Sequence, residues 1–322
     1  MEQLSVIVES LCLQGTGNLA VSFVPDTANS LLPVWEAGAH IDVHLAPGLI
    51  RQYSLTGSCN DRRRYEICVA HDTASRGGSR YVHQQLRPGD RLTLSAPRNL
   101  FALQPAKRVL LIAAGIGITP LYAMALQLEQ QGISFSLHYY CRHAQQAAYQ
   151  SVLSAPWQYG KCHLWLSEEG NSPRHHQPAE LVQPDTGTLI YLCGPEAFMQ
   201  HQRESARALG WADEAIYTEA FKPSVASREV GDDETFIITL ASTGQQWPVS
   251  SQQTIAQVLV EQGVSIPLSC EMGMCGACLT NVVSGEIDHR DTVQSAQEKS
   301  GAQQQVALCC SRSRSEVLVL DL

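Results

Sequence analysis

The stretch CEMGMCGACL places Cys270, Cys275 and Cys278 in C-x4-C-x2-C spacing, and ALCCSR near the end of the chain adds Cys309 and Cys310. Three closely spaced thiols and a distant fourth are the ligand arrangement of a plant-type [2Fe-2S] cluster, in which four thiolates hold two irons. Gly273 and Gly276 suit that chemistry, because residues without a Cβ let the backbone fold tightly and bring N–H donors close to sulfur. A structural zinc held by four cysteines is the nearest rival. Such sites usually draw on paired C-x2-C units, and only one such pair is present. In an extended segment adjacent residues point to opposite faces, so Cys309 and Cys310 are not expected to serve one site together.

Two glycine-rich turns point to nucleotide chemistry. GIGITP (115–120) lies between an apolar strand-like run and a helical pattern, so Gly115 and Gly117 can bring a pyrophosphate close to a positive helix N-terminus. It departs from the usual dinucleotide fingerprint in ending on Pro120, and Thr119 is also a candidate cap for that helix. YLCGPEAFM (191–199) again joins a strand end, a tight turn and a helix start, where ligands bind in parallel sheets. Cys193 within it is either an ordinary buried cysteine or a residue of that site. SRGGSRYVH (75–83) brings Gly78 and Ser79 to the start of a helix, a place where backbone N–H groups can hold a phosphate. Arg51 of RQYSL could add a charge-assisted bond to that phosphate while Tyr53 lies along a flavin ring; a buried strand tyrosine is the plainer reading of RQYSL alone. Arg142, in HYYCRH, stands without the basic neighbours that a 2′-phosphate would ask for, which favours NADH over NADPH. His175 and His176 lack partners at metal-ligand spacing and read as solvated loop residues.

The elements that must position these residues fall into three segments. Residues 1–103 alternate in short runs such as LSVIVES, AHIDVHL and RYEICVA, the pattern of an all-β barrel or sandwich. Residues 104–223 alternate strands (RVLLIAAG, FSLHYYCR, CHLWLSEE, LIYLCG) with helices (TPLYAMALQLEQQG, AAYQSVLSAPW, EAFMQHQRESARALG), which implies a parallel α/β sheet. Residues 224–233 are polar and read as a linker. Residues 234–322 begin with a hairpin and a short helix capped by Thr254, ahead of the cysteine loop. Eleven cysteines in 322 residues, an odd count without a recognisable export signal, fit reduced thiols and a cytoplasmic protein better than disulfides. With 44% hydrophobic and 16% charged residues and no run of roughly 20 apolar residues, the chain has neither a disordered composition nor a membrane-spanning helix. A net charge of −9 without a basic patch argues against nucleic acid as a partner. The last segment holds nine acidic residues against four basic ones, suited to docking on a positive protein surface.

That last segment resembles plant-type ferredoxin throughout its length. GEIDHRD (285–291) and CCSRSRSEVLVLDL (309–322) are similar to the C-terminal domain of the phthalate dioxygenase reductase and vanillate demethylase reductase family, and the likeness extends to carnitine monooxygenase reductases. The family's last ligand stands in a C-x-S-R pattern. This implies Cys309 as the fourth ligand beside Cys270, Cys275 and Cys278, and leaves Cys310 facing the other way as a small packed thiol. RQYSL and GGS match the R-x-Y-S and G-G-S motifs of the ferredoxin-reductase flavin barrel, and PRNLFAL (97–103) resembles its end. The resemblance implies that Arg51, Tyr53, Ser54, Val69, Gly78, Ser79 and Thr119 line the flavin, which is FMN in the phthalate branch. Ala70 stands where phthalate dioxygenase reductase has a lysine, so that contact does not transfer. It further implies that Gly115, Gly117, Pro120, Arg142, Cys193, Gly194 and Pro195 serve NAD, with Cys193 beside the nicotinamide, and that Glu219 and Phe221 of YTEAF close the site near the flavin.

The architecture implied is a flavin barrel, a parallel-sheet nucleotide domain and an α+β β-grasp ferredoxin domain. The implied activity is electron transfer from NADH through FMN to [2Fe-2S] and on to a separate Rieske-type oxygenase, by a chain expected to be monomeric. A hydride brings two electrons and the cluster takes one, so a flavin must stand between them. Two other readings share part of the pattern: an FAD-dependent reductase serving a di-iron monooxygenase, and a binding or sensor module with a degenerate reductase body.

Overall fold

The computed structural model describes residues 3–47, 49–73, 75, 77–221, 235–301 and 303–322. These form two compact units, divided between Phe221 and Lys222. The expected linker, 224–233, lies outside the described residues.

In the first unit, the alternating runs become β1 (Gln3–Leu13), β2 (Asn18–Pro25), β3 (Ala39–Ala46), β4 (Leu49–Thr56), β5 (Tyr65–Ala70), β6 (Arg91–Ser95) and the short β7 (Arg98–Asn99), with helix α1 (Gly78–Gln84) after β5. They pair antiparallel in the order β4-β5-β2-β1-β6-β3-β7, and a β3–β4 pairing closes six of them into a barrel. The inward set includes Val6, Val21, Phe23, Ile41, Leu55 and Tyr65, all fully buried, as a period of two requires.

The continuous apolar runs become a five-stranded parallel sheet: β8 (Arg108–Ala114), β9 (Ser134–Cys141), β10 (Gly160–Leu166), β11 (Thr188–Cys193) and β12 (Ile216–Glu219). Its order, β10-β9-β8-β11-β12, reverses direction between β8 and β11, so a crevice opens at the carboxyl ends of those two strands. Helix α2 (Ile118–Gln131) ends at Gly132 in the left-handed conformation, and α5 (Glu196–Ala208) follows β11. The helix expected in AAYQSVLSAPW is only one turn, α3 (Gln150–Leu153), and α4 (Ala179–Val182) is another. Tyr149 enters α3 with φ 58° and carries its ring away to stack on Tyr122, so a tertiary contact replaces helical propagation there.

Barrel and parallel sheet share one continuous core, running from Val6 and Phe23 to Leu111, Met124 and Cys193. Polar ties cross between them. The Ala37 amide donates to Gln127 Oε1 (3.0 Å), Asn60 donates to Gln130 (2.8 Å), and the Tyr149 hydroxyl donates to Glu66 (3.0 Å).

The second unit contains the hairpin β13 (Phe236–Leu240) and β14 (Gln246–Val249), then α6 (Ile255–Glu261), β15 (Leu279–Ser284), β16 (Ile287–Asp288), α7 (Ala296–Lys299), β17 (Gln305–Ala307), β18 (Arg312–Ser313) and β19 (Val317–Leu320). Its sheet runs β14-β13-β19-β15-β17, with β13 and β19 parallel, and α6 buries Ile255, Val258 and Leu259 against it. Among the described residues no helix is long and apolar enough to cross a membrane.

Thr254 closes a complete capping box. Its hydroxyl accepts from the Gln257 amide (3.1 Å), and the Gln257 side chain accepts from the Thr254 amide (2.8 Å). Thr254→Ala should therefore lower the stability of this unit by about 1 kcal/mol, read as a shift of its denaturant midpoint; an unchanged midpoint would show the cap to be idle.

Candidate functional sites

At the switch point two backbone segments approach each other closely. Gly115–Gly117 forms a 3-10 turn leading into α2, and a Cβ on Gly117 would collide with the carbonyl of Cys193 and the amide of Gly194. The close approach expected at Gly117 is thus made to the second nucleotide turn, and it holds GIGITP and CGP edge to edge. Open space lies over Gly115, where a Cβ would meet nothing within 4 Å. Thr119 is buried and donates its hydroxyl to the Ile116 carbonyl (3.0 Å). It does not cap α2: Gly117 holds that position, because the helix begins one residue before Thr119. Pro120 is buried in the first turn of α2, and Pro195 is the N-cap residue of α5. Gly194 packs against Phe198 and Ala114.

Cys193 is fully buried and lies opposite Glu219 in the β11–β12 register. Burial pushes its thiol well up, and the neighbouring carboxyl adds to the effect. Burial likewise raises Glu219 to about 8, only partly offset by a hydrogen bond with Ser54 of the barrel. Its Oε2 atom is buried with no hydrogen-bond partner among the described residues. A carboxyl so placed is mostly protonated at neutral pH, and an orphaned oxygen in a crevice marks a site built for a polar ligand. Phe221, two residues on, packs on the shared core.

On the barrel, Ser54 is buried and Tyr53 is half-buried, its hydroxyl pushed up to about 12 by burial against the opposing pull of Arg51. The Arg51 side chain lies across Gly78, so close that a Cβ there would strike its Cγ, and the same guanidinium donates to the Ile50 carbonyl (2.7 Å). Ser79 Oγ accepts from the Asp72 amide (3.2 Å), fixing the entry to α1. Val69 is buried on β5, and its carbonyl is met by His83 Nε2 at 2.9 Å. The expected phosphate elements Arg51, Gly78 and Ser79 therefore stand together, and Ser54 joins them to the crevice through Glu219. A cavity of about 490 Å³ lined by His44, Pro47, Ile50, Tyr81, Asp90 and Arg91 opens elsewhere on the barrel and uses none of the expected flavin residues.

Arg142 is exposed just past β9. Its carbonyl accepts from the Glu168 amide (3.3 Å), and Glu168 pairs with His143 at 2.7 Å. The motif reading overlooked Glu168, which lies some 26 residues along the chain and is brought here only because β9 and β10 are parallel neighbours. A carboxylate at such a position suits a free ribose diol.

In the second unit the four expected cysteines converge. Cys270, Cys278 and Cys309 are buried and Cys275 is half-buried. Backbone amides aim at the sulfurs: Met272 and Met274 at Cys270 (3.3 and 3.4 Å), Gly273 at Cys309 (3.2 Å) and Ala277 at Cys275 (3.5 Å). Gly273 delivers its own amide, as expected; at Gly276 the donor is the next residue, Ala277. The thiols share protons. Cys270 is held down because Cys275 and Cys309 point S–H groups at it, and Cys278 is held down because Cys309 does the same. As donors, Cys275 and Cys309 are pushed up. The four thiols are linked in a run, Cys275 to Cys270, Cys270 to Cys309 and Cys309 to Cys278. Four adjoining thiols under four N–H donors fit an iron–sulfur cluster whose sulfurs carry negative charge.

Cys310 departs from expectation. Residues 308–310 form a turn, so alternation does not apply, and the Cys310 thiol hydrogen-bonds Cys309 and presses on Gly273, where a Cβ would collide with it. It flanks the thiol set instead of turning away.

Barrel, switch-point crevice and four-thiol unit together define an NAD-binding, iron–sulfur oxidoreductase. The model of the 2Fe-2S iron-sulfur cluster binding domain matches residues 238–314, and that of the oxidoreductase NAD-binding domain matches 111–204. The chain is 41% identical to vanillate O-demethylase oxidoreductase of Acinetobacter baylyi over 294 residues, covering 90% of each. It is 38% identical to the carnitine monooxygenase reductase subunit of Escherichia coli, again over 90% of each. The crystal structure of phthalate dioxygenase reductase, described as modular for electron transfer from pyridine nucleotides to [2Fe-2S], superposes with a TM-score of 0.75 at 32% identity, over 99% of this chain and 98% of that one. The chain belongs to this family of oxygenase reductases.

The raised Glu219 carboxyl has a linkage consequence. The folded state keeps a proton that the unfolded state gives up near pH 4.5, so its contribution to stability falls as pH rises from about 4.5 to about 8 and then levels off. Glu219→Gln removes that loss. The stability gap between variant and parent should widen by roughly 1.4 kcal/mol per pH unit across the window. Parallel unfolding curves at pH 5, 6.5 and 8 measure it, and a constant gap would mean that Glu219 is not buried as a neutral acid.

Proposed function

We propose that this chain is the reductase component of a two-component Rieske-type oxygenase, carrying electrons from NADH by way of bound FMN and a [2Fe-2S] cluster to the oxygenase. The observation that carries the reading is one chain holding both a switch-point crevice with a carboxyl raised by burial, beside a barrel that carries Arg51, Gly78 and Ser79 together, and a loop of four thiols under amide donors. The names of the relatives, a vanillate O-demethylase oxidoreductase and a carnitine monooxygenase reductase subunit, support an oxygenase as acceptor. We read the domains as 1–103 for flavin, 104–223 for NAD, 224–233 as linker and 234–322 for the cluster, in a monomeric cytoplasmic protein.

Arg51, Gly78 and Ser79 would hold the flavin phosphate, and Tyr53, Ser54, Val69 and Thr119 would line its ring. Gly115, Gly117, Pro120, Arg142, Gly194 and Pro195 would seat NADH, with Cys193 beneath the nicotinamide; Cys270, Cys275, Cys278 and Cys309 would hold the irons. When bound, flavin takes up the two electrons of a hydride and cluster takes them one at a time, which is how a pyridine nucleotide can serve a one-electron acceptor. Hydride delivery requires no nucleophile from the protein. Cys193, kept neutral by burial, adds no charge to the crevice, and Glu219 holds a proton at the crevice wall while Ser54 fixes its carboxyl. Phe221 closes the apolar side and limits water. Glu168 beside Arg142, in place of a basic cluster, favours NADH.

An anaerobic spectrum taken before and after NADH should show flavin and cluster bands bleaching together, with FMN in the extract; FAD there would favour the di-iron monooxygenase reductase reading, and a colourless protein would reject both. Cys309→Ser should lose most of the iron while NADH still reduces the flavin, whereas Cys310→Ala should keep its iron; the reverse pattern would exchange their roles. Raising salt from 50 to 500 mM should slow electron transfer to the oxygenase more than NADH oxidation by a small dye, because the last segment is acidic. Equal slowing would remove electrostatic docking from the proposal.

A further inference from the structure

The GEIDHRD stretch ends in a carboxylate that the electron path does not use. Asp291 has a completely buried side chain, although it belongs to a loop between β16 and α7. Its Oδ2 accepts from the Gln294 amide (3.0 Å), and its Oδ1 accepts from the Gln294 side chain (3.3 Å) and from Ser311 Oγ (3.4 Å). Lys299 stands 3.5 Å from Oδ2 and also donates to the Asp291 carbonyl; His289 stands 3.4 Å from Oδ1. The carboxylate thereby closes the turn 291–294 from within, as Asp does when it accepts from an amide three residues on.

What that turn holds is the cysteine loop. The amides of Thr292 and Val293 both donate to the carbonyl of Gly273, at 3.0 and 3.2 Å. The amide of Gly273 donates to Cys309 Sγ. Gly273 itself sits at φ +71°, and a Cβ there would strike the Cys310 thiol and the backbone of Asp291. Anchored at its carbonyl by the Asp291 turn, this residue delivers its N–H to the Cys309 sulfur.

We propose that Asp291 is a positioning residue for the iron–sulfur site: by closing the turn that grips Gly273, it holds the Gly273 N–H on the Cys309 sulfur and so keeps the cluster easy to reduce. Hydrogen bonds to ligand sulfur favour the reduced, more negative cluster, and they act only while donor and sulfur stay aligned. Geometry, not charge, is the operative property. A negative charge near the cluster would act in the opposite sense, making reduction harder.

The proposal rests on the cluster reading above, and the two fail differently: wild-type protein without iron or visible bands would end that reading before Asp291 is in question. The test uses full-length protein with iron measured, following electron partition between flavin and cluster in an EPR-monitored redox titration. Asp291→Asn keeps an oxygen that can accept from the Gln294 amide and removes the charge. Asp291→Glu keeps the charge, but its extra methylene has no room in a fully buried turn. We expect Asp291→Glu to move the partition about tenfold toward the flavin, equivalent to about 59 mV for a one-electron couple. Asp291→Asn should stay within about threefold of wild type or move toward the cluster, and flavin reduction by NADH should be unchanged in both. Loss of the cluster in Asp291→Glu alone would also support the proposal. It would be overturned by a wild-type partition in Asp291→Glu, or by Asp291→Asn losing the cluster or falling as far as Asp291→Glu, since the carboxylate's charge or general stability would then be the property that matters.

Discussion

The backbone at Gly117 touches the backbone at Cys193 and Gly194, and the chemistry of the first unit depends on that contact. It requires α2 to begin against the end of β11. This places two glycine-bearing turns side by side at the one point where the sheet order reverses, and β12 then brings Glu219 to the same edge. The barrel is committed by the same packing, because Ser54 reaches Glu219 and the core that covers α2 is continuous with the barrel interior. Any larger residue at position 117 would have to force the two turns apart, which close-packed interiors resist.

The two sites solve opposite electrostatic problems. At Glu219 burial meets no compensating positive group among the described residues, which favours the protonated carboxyl. In the cysteine loop, four backbone amides point at sulfur, and the set is suited to remain as thiolates around a cation. In the proposed function, the first arrangement would spare a hydride donor a nearby negative charge, and the second would keep a negatively charged cluster tolerable inside a small unit. Each relies on groups that carry no formal charge, and such dipoles keep their strength at any ionic strength.

Much of this was legible in the chain. Alternating runs became the barrel, continuous apolar runs the parallel strands, Gly132 ended α2 where expected, and Thr254 capped α6, because each is a local preference that packing had only to accept. The single-turn helix at Gln150 was not legible, since a stack between Tyr149 and Tyr122 overrides a helical pattern. Thr119 had the chemistry of a cap but fell one residue inside the helix.

Cysteine spacing, glycine turns and strand periodicity are written in neighbouring residues, and together with the family resemblance they gave the expected order of sites along the chain. Which atoms meet was decided only by folding. Cys309 and Cys310 differ by one position, and a turn in place of a strand brings both thiols to the loop. Glu168 reaches Arg142 across a parallel strand pair, and Asp291 grips Gly273 from 18 residues away in sequence. Burial, partner distance and the protonation that follows from them arise from contacts between segments remote in sequence, so no local pattern encodes them.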